Sequence, residues 1–172
     1  RLADLVPSMQ VYADAASQHS DLSESIDASL HVVAFIADGY FSSIGCMREL
    51  LRAMWLRRPI VALVEPDAGR GGLSAAQIRD QIEIACDSFQ AWGVAKELQA
   101  WGMAAPPTAS EIFEALFPSE APHPPLEWGR FTPYQDHTLR LLVERMLPSE
   151  QKPTRLHGER PMDERISWPP IR

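Results

Sequence analysis

Two uninterrupted apolar runs constrain this chain more than any other feature: residues 31–37, His-Val-Val-Ala-Phe-Ile-Ala, and residues 60–64, Ile-Val-Ala-Leu-Val. Neither alternates polar with apolar positions, as a strand half open to water does, so both predict strands covered on both faces. Between them Met47, Leu50, Leu51, Met54 and Trp55 recur at helical spacing, which predicts an amphipathic helix over residues 46–58. Arg57 and Arg58 suit the negative end of its dipole, and Pro59 stops it. Strand, helix and strand in that order predict a right-handed βαβ crossover, hence a parallel sheet flanked by helices on both faces.

The flanking chain extends this pattern. Leu22, Ile26 and Leu30 recur every four residues behind Asp21, a candidate N-cap with Glu24 placed to reach back to it, and predict a short helix. Val11 and Tyr12 predict a short strand over residues 9–13, while Leu2, Leu5, Val6 and Met9 would stripe a short helix that Pro7 interrupts. Downstream, Ile78, Ile82, Ala85 and Phe89 mark a helix from Ser74, with a break near Gly93 before Leu98 and Trp101. Short helices are expected over residues 110–117 and 132–147, the second striped by Leu139, Leu142, Val143 and Met146. Twelve of the fifteen prolines lie at or after position 106, so the C-terminal third reads as extended connections between helices. The expected organisation is an α/β domain over residues 1–117, a proline-rich linker and packed helix over 118–148, and an extended or disordered tail over 149–172.

Composition narrows the function classes. A chain of 172 residues supports one ordinary core. A net charge of −7 disfavours attraction to nucleic acid or anionic lipid, and no apolar run approaches the ~20 residues of a membrane helix, so neither nucleic-acid binding nor membrane insertion is expected. Cys46 and Cys86 make neither a disulfide framework nor a metal pattern and read as free thiols in a reducing compartment. The five histidines are scattered without ligand spacing, and no metal is assigned. Asp38-Gly39 and the glycine-rich stretch 69–72 fall at the carboxyl ends of the two strands, where open α/β sheets place ligands, although turn formation explains the glycines equally. Neither stretch has the spacing of a nucleotide-binding glycine loop.

Taken in order, Leu22-Ser-Glu-Ser-Ile-Asp-Ala-Ser29, the strand from Val32, Tyr40, Ser42-Ser43 and Cys46-Met-Arg-Glu-Leu50 resemble a plant-type TIR domain across about 45 residues, a quarter of the chain. The family's tryptophan directly before the cysteine is replaced here by Gly45. The resemblance implies a flavodoxin-like α/β sandwich of TIR type, whose first strand would lie upstream of residue 1, with a helical, proline-rich C-terminal extension.

It also implies two functions. One is a cytoplasmic signalling module that acts through protein association, with TIR-containing proteins or with itself as partner. The other is an NAD+ nucleosidase, a hydrolase with NAD+ as substrate and no cofactor, in which Glu49 matches the family's catalytic glutamate. There Ser43 would form a polar wall of the pocket, and Asp38, Gly39 and Tyr40 would line the strand end. From the residues alone, Glu49 is equally a helix carboxylate near the positive end of the dipole, Ser43 a helix cap and Tyr40 a packing residue. An α/β domain unrelated to the TIR family, sharing only the βαβ pattern, is the third alternative.

Overall fold

The structure, a computed structural model, describes residues 22–120 and 124–147, together with 6, 10 and 11. It is an α/β fold built on a parallel sheet with strand order β1-β2-β3: β1 is Val32–Ile36, β2 Ile60–Val64 and β3 Leu126–Glu127. Helix α1 (Leu22–Ala28) precedes β1, and α2 (Ile44–Trp55) makes the crossover to β2. Helices α3 (Ala75–Ser88), α4 (Val94–Ala100) and α5 (Ala109–Leu116) follow, and α6 (Thr132–Met146) comes after β3. Among the described residues, no helix is long and apolar enough to cross a membrane.

The βαβ unit forms as its sequence predicts. β1 and β2 run parallel in one register, from Val32 beside Ile60 to Ile36 beside Val64. Gly93, at a positive φ of 75°, supplies the break between α3 and α4. Gln10 and Val11, in contrast, lie outside any strand and are exposed, and Val6 is not helical. Without a ladder partner among the described residues, Gln10 and Val11 gain nothing from extension. Asp21, the rest of the Leu2, Leu5, Met9 stripe, Tyr12 with the rest of the strand expected over 9–13, and the tail over 149–172 fall outside the described residues.

The register sorts side chains onto two faces. Ala34, Ile36, Ile60, Ala62 and Val64 face the main core, formed with Met47, Leu50 and Leu51 of α2, Ile78 and Ile82 of α3, Leu98 of α4 and Ile112 of α5. On the opposite face Val61, Leu63 and Leu126 pack under Leu139 and Leu142 of α6. β2 is therefore covered on both sides, as its sequence predicts. β1 is not: Val33 and Phe35, on the face that α6 covers over β2, are 37% and 42% exposed. An unbroken apolar run reports only that no polar residue intervenes, and α6 is displaced towards β3.

Beside the sheet, Arg52 joins three elements. Its guanidinium donates to both Asp27 carboxylate oxygens at 2.8 and 2.7 Å and stacks on Trp55 and Trp101, 4.6 and 4.9 Å from their centroids. Arg58 donates to the Asp27 carbonyl at 2.6 Å, so α1 is tied to both ends of this contact. The Arg52 hydrogen bond holds the Asp27 carboxyl below its ordinary value of 3.8, outweighing the opposing effect of burial. A depressed carboxyl stabilises the fold above its unfolded-state pKa, and that contribution disappears as pH falls through the lowered value. Arg52→Ala is expected to cost about 1–2 kcal/mol at neutral pH, with partial exposure of Asp27 limiting the loss. Urea denaturation of the two proteins should show that gap narrowing below about pH 4 as Asp27 protonates.

Candidate functional site

β1 ends in a compact turn. Tyr40 N–H donates to the Ala37 carbonyl at 3.1 Å, and Ser43 N–H to Gly39 at 3.2 Å. Gly39 occupies φ 87°, a region that side chains other than glycine's rarely enter. The Ser42 hydroxyl donates back to the Gly39 carbonyl at 3.0 Å, while Ser43 caps α2, its oxygen accepting from Cys46 N–H at 3.3 Å. Both serines thus serve the turn and the helix start.

The glycine-rich loop after β2 lies across the end of β1. Asp38 N–H donates to the Gly71 carbonyl at 2.7 Å, and Gln81 of α3 donates to the Asp38 carboxylate at 3.0 Å. Asp67 caps a single 3-10 turn, Ala68–Arg70, by accepting from Gly69 N–H at 2.9 Å. Gly72 is pressed so tightly that a Cβ there would meet the Glu65 carbonyl oxygen and the Asp67 carbonyl carbon at 2.7 Å. Those contacts are backbone, with no flexible side chain to yield.

Of the residues predicted to carry chemistry, Tyr40 and Glu49 come near one another. The Tyr40 ring packs on the main core and edge-on against Phe41, centroids 5.1 Å apart. Burial pushes its phenol well above the ordinary range, and the nearby Cys46 and Glu49 charges add to that rise. Glu49 is half-buried in the second turn of α2, the helix that starts at the carboxyl end of β1. Asp38, Gly39 and Ser43 occupy the same strand end, but the hydrogen bonds of Gly39 and Ser43 are directed into the turn and the start of α2, and those of Asp38 to Gly71 and Gln81. Cys46 and Cys86 are free and half-buried, and burial pushes the Cys86 thiol up to about 11.

The most deeply buried charge at this rim was not singled out by its sequence. Glu65 follows the last residue of β2, and its side chain is 2% exposed. One carboxylate oxygen pairs with Arg130, 38% exposed, in the turn between β3 and α6; the other accepts from Asp67 N–H at 3.0 Å. Removing one partner from such a pair strands a charge in a poor solvent, at a cost of roughly 3–5 kcal/mol. A carboxylate closing an apolar strand is a visible signal; its cation, 65 residues away, is not. Among the described residues, no three histidine, cysteine or acidic side chains converge as a metal site would require.

The other distinctive surface is the outer side of β1. Val32 N–H bonds the Pro59 carbonyl and the Ile36 carbonyl accepts from Glu65 N–H, so residues 32, 34 and 36 spend their backbone groups on β2. By the alternation of a parallel ladder, Val33 and Phe35 point theirs outward. Among the described residues no strand pairs with that edge. Trp128 meets Phe35 edge-on at 6.3 Å and covers only part of it.

Comparison of the chain with protein-family models, with curated proteins and with solved structures finds no match.

Three substitutions test the local account by thermal or urea denaturation. Gly72→Ala should destabilise by about 2–4 kcal/mol, because the backbone at 65 and 67 must move. Ser43→Ala should cost about 1 kcal/mol through the lost cap. Gly45→Ala, whose added carbon meets nothing nearer than the Ser43 hydroxyl at 3.8 Å, should instead stabilise by roughly 0.5–1 kcal/mol by lowering the entropy of the unfolded chain.

Proposed function

We propose that this chain is an association module of TIR type with a flavodoxin-like architecture, working in the cytoplasm, and that it pairs with a second copy or a like domain through the outer side of β1. The observation that carries this reading is the coincidence at Val33 and Phe35 of outward backbone donors and acceptors with exposed apolar side chains. An edge of that kind accepts an added strand through main-chain hydrogen bonds, while neighbouring side chains supply area and selectivity. The order of residues from Leu22 to Leu50 supports the family assignment, and the acidic net charge agrees with a protein partner.

A second reading is supported by Glu49, whose charge acts on the buried Tyr40 at the end of β1. In NAD+ cleavage water adds to the ribose carbon, the bond to nicotinamide breaks, and neutral nicotinamide leaves with ADP-ribose and a proton as the other products. A carboxylate at that position stabilises the cationic ribose centre and orients the water.

Two measurements decide between them. Sedimentation velocity over a wide concentration range should show self-association that Phe35→Glu abolishes. Val33→Pro should abolish it too, because this substitution removes an outward N–H and leaves the β1–β2 ladder intact. A chain that stays monomeric throughout and captures no like domain removes the association reading. Nicotinamide release from NAD+ that Glu49→Ala eliminates would establish the hydrolase, and absence of release at high protein concentration would exclude it.

A further inference from the structure

We infer that β3 and α6, residues 124–147, form a strap that lifts from the sheet as one unit while the α/β body stays folded, and that the Glu65–Arg130 pair is its latch. The two faces of the sheet carry separate cores. Among the described residues, the main cluster and the side chains packed against it come from positions 34–117, with none from the strap, so this core does not depend on it. The second cluster is small: Val61 and Leu63 from the body, Leu126, Leu139 and Leu142 from the strap.

The strap is also bound to itself. The Thr138 hydroxyl, buried in α6, donates to the Glu127 carbonyl of β3 at 2.9 Å, and Arg145 donates to the Pro124 carbonyl at 2.6 Å. These bonds persist when the unit moves as a whole. Its attachments to the body include a ladder of two residue pairs, a hydrogen bond from Trp128 N–H to the Val64 carbonyl at 2.8 Å, the Phe35–Trp128 ring contact, the small cluster and the latch. Proteins open in cooperative units, and a unit with its own internal bonds and a thin interface opens below the global unfolding energy.

Lifting has a consequence for the sheet. Val61 lies beside Val33 and Leu63 beside Phe35 in register, so release extends the open patch on β1 into a continuous apolar face across β2. The closed strap masks half of that face. This inference holds whether or not the outer edge of β1 binds a partner, since strap opening is read by amide exchange and association by sedimentation.

Hydrogen exchange with mass spectrometry on the full chain tests it. In the unmodified protein, amides of residues 132–146 should exchange at least about tenfold faster than those of 75–88. Ile82→Val, a cut in the body core, should speed exchange in 75–88 several-fold and leave 132–146 unchanged, because the strap opens with Ile82 still packed. Arg130→Ala should speed 132–146 at least about tenfold by leaving the Glu65 charge unpaired. Should that variant fail to fold, Glu65→Gln weakens the latch without stranding a charge and should move 132–146 in the same direction. A common rate for both segments in the unmodified protein, with both responding to Ile82→Val, would overturn the strap. Exchange in 132–146 that neither Arg130→Ala nor Glu65→Gln alters would overturn the latch.

Discussion

The parallel ladder between β1 and β2 is the constraint from which the rest of the molecule follows. Once Val32 stands beside Ile60, strand alternation sends Ala34, Ile36, Ala62 and Val64 to one side and Val33, Phe35, Val61 and Leu63 to the other. A slip of one residue would exchange the two sets and place Phe35 where Ala34 now lies against the main core. The same ladder directs the backbone groups of alternate residues inward and outward, and it brings both strand ends to one rim. α2 can start at that rim only because the turn after Ala37 reverses the chain within a few residues.

At the rim, charge and backbone solve a packing problem before any chemistry is considered. β1 and β2 end side by side, and their last carbonyls and amides need partners. The loop over 67–72 supplies them by crossing from β2 to Asp38, and its glycines are demanded by proximity: Gly72 touches backbone where a methyl group has no room. Glu65 does the corresponding work on the β3 side, with Arg130 and the Asp67 amide satisfying its two oxygens. A buried carboxylate is tolerated here because both of its oxygens are bonded.

What could be read from the sequence was whatever depends on local periodicity. Helix α2, both long strands, the crossover and the Gly93 break all carry their signals within a dozen neighbouring residues. The third strand does not, since Leu126–Glu127 is too short for any pattern and forms only because β2 offers it an edge. The Glu65–Arg130 pair was hidden for the same reason, as two charges far apart in the chain announce no partnership. Asp38, Gly39, Tyr40 and Ser43 follow β1 directly in the chain, yet their hydrogen bonds were beyond the sequence: whether Ser43 faces a pocket or caps a helix depends on a rotamer.

The two apolar runs differ in their place in the sheet. Ile60–Val64 is apolar because it is central, with the main core on one side and α6 on the other. Val32–Ile36 is just as apolar, but it is the outer strand of the described sheet and one of its faces is open. Val33 and Phe35 take no part in the main core; lysine or threonine there would leave that core untouched and would blunt the edge against pairing. On their own face Phe35 meets Trp128 edge-on, and the remaining apolar surface of Val33 and Phe35 is open. The open half of that face and the half beneath α6 are continuous through the register of β1 and β2, so the position of one helix sets how much apolar sheet is available to a partner.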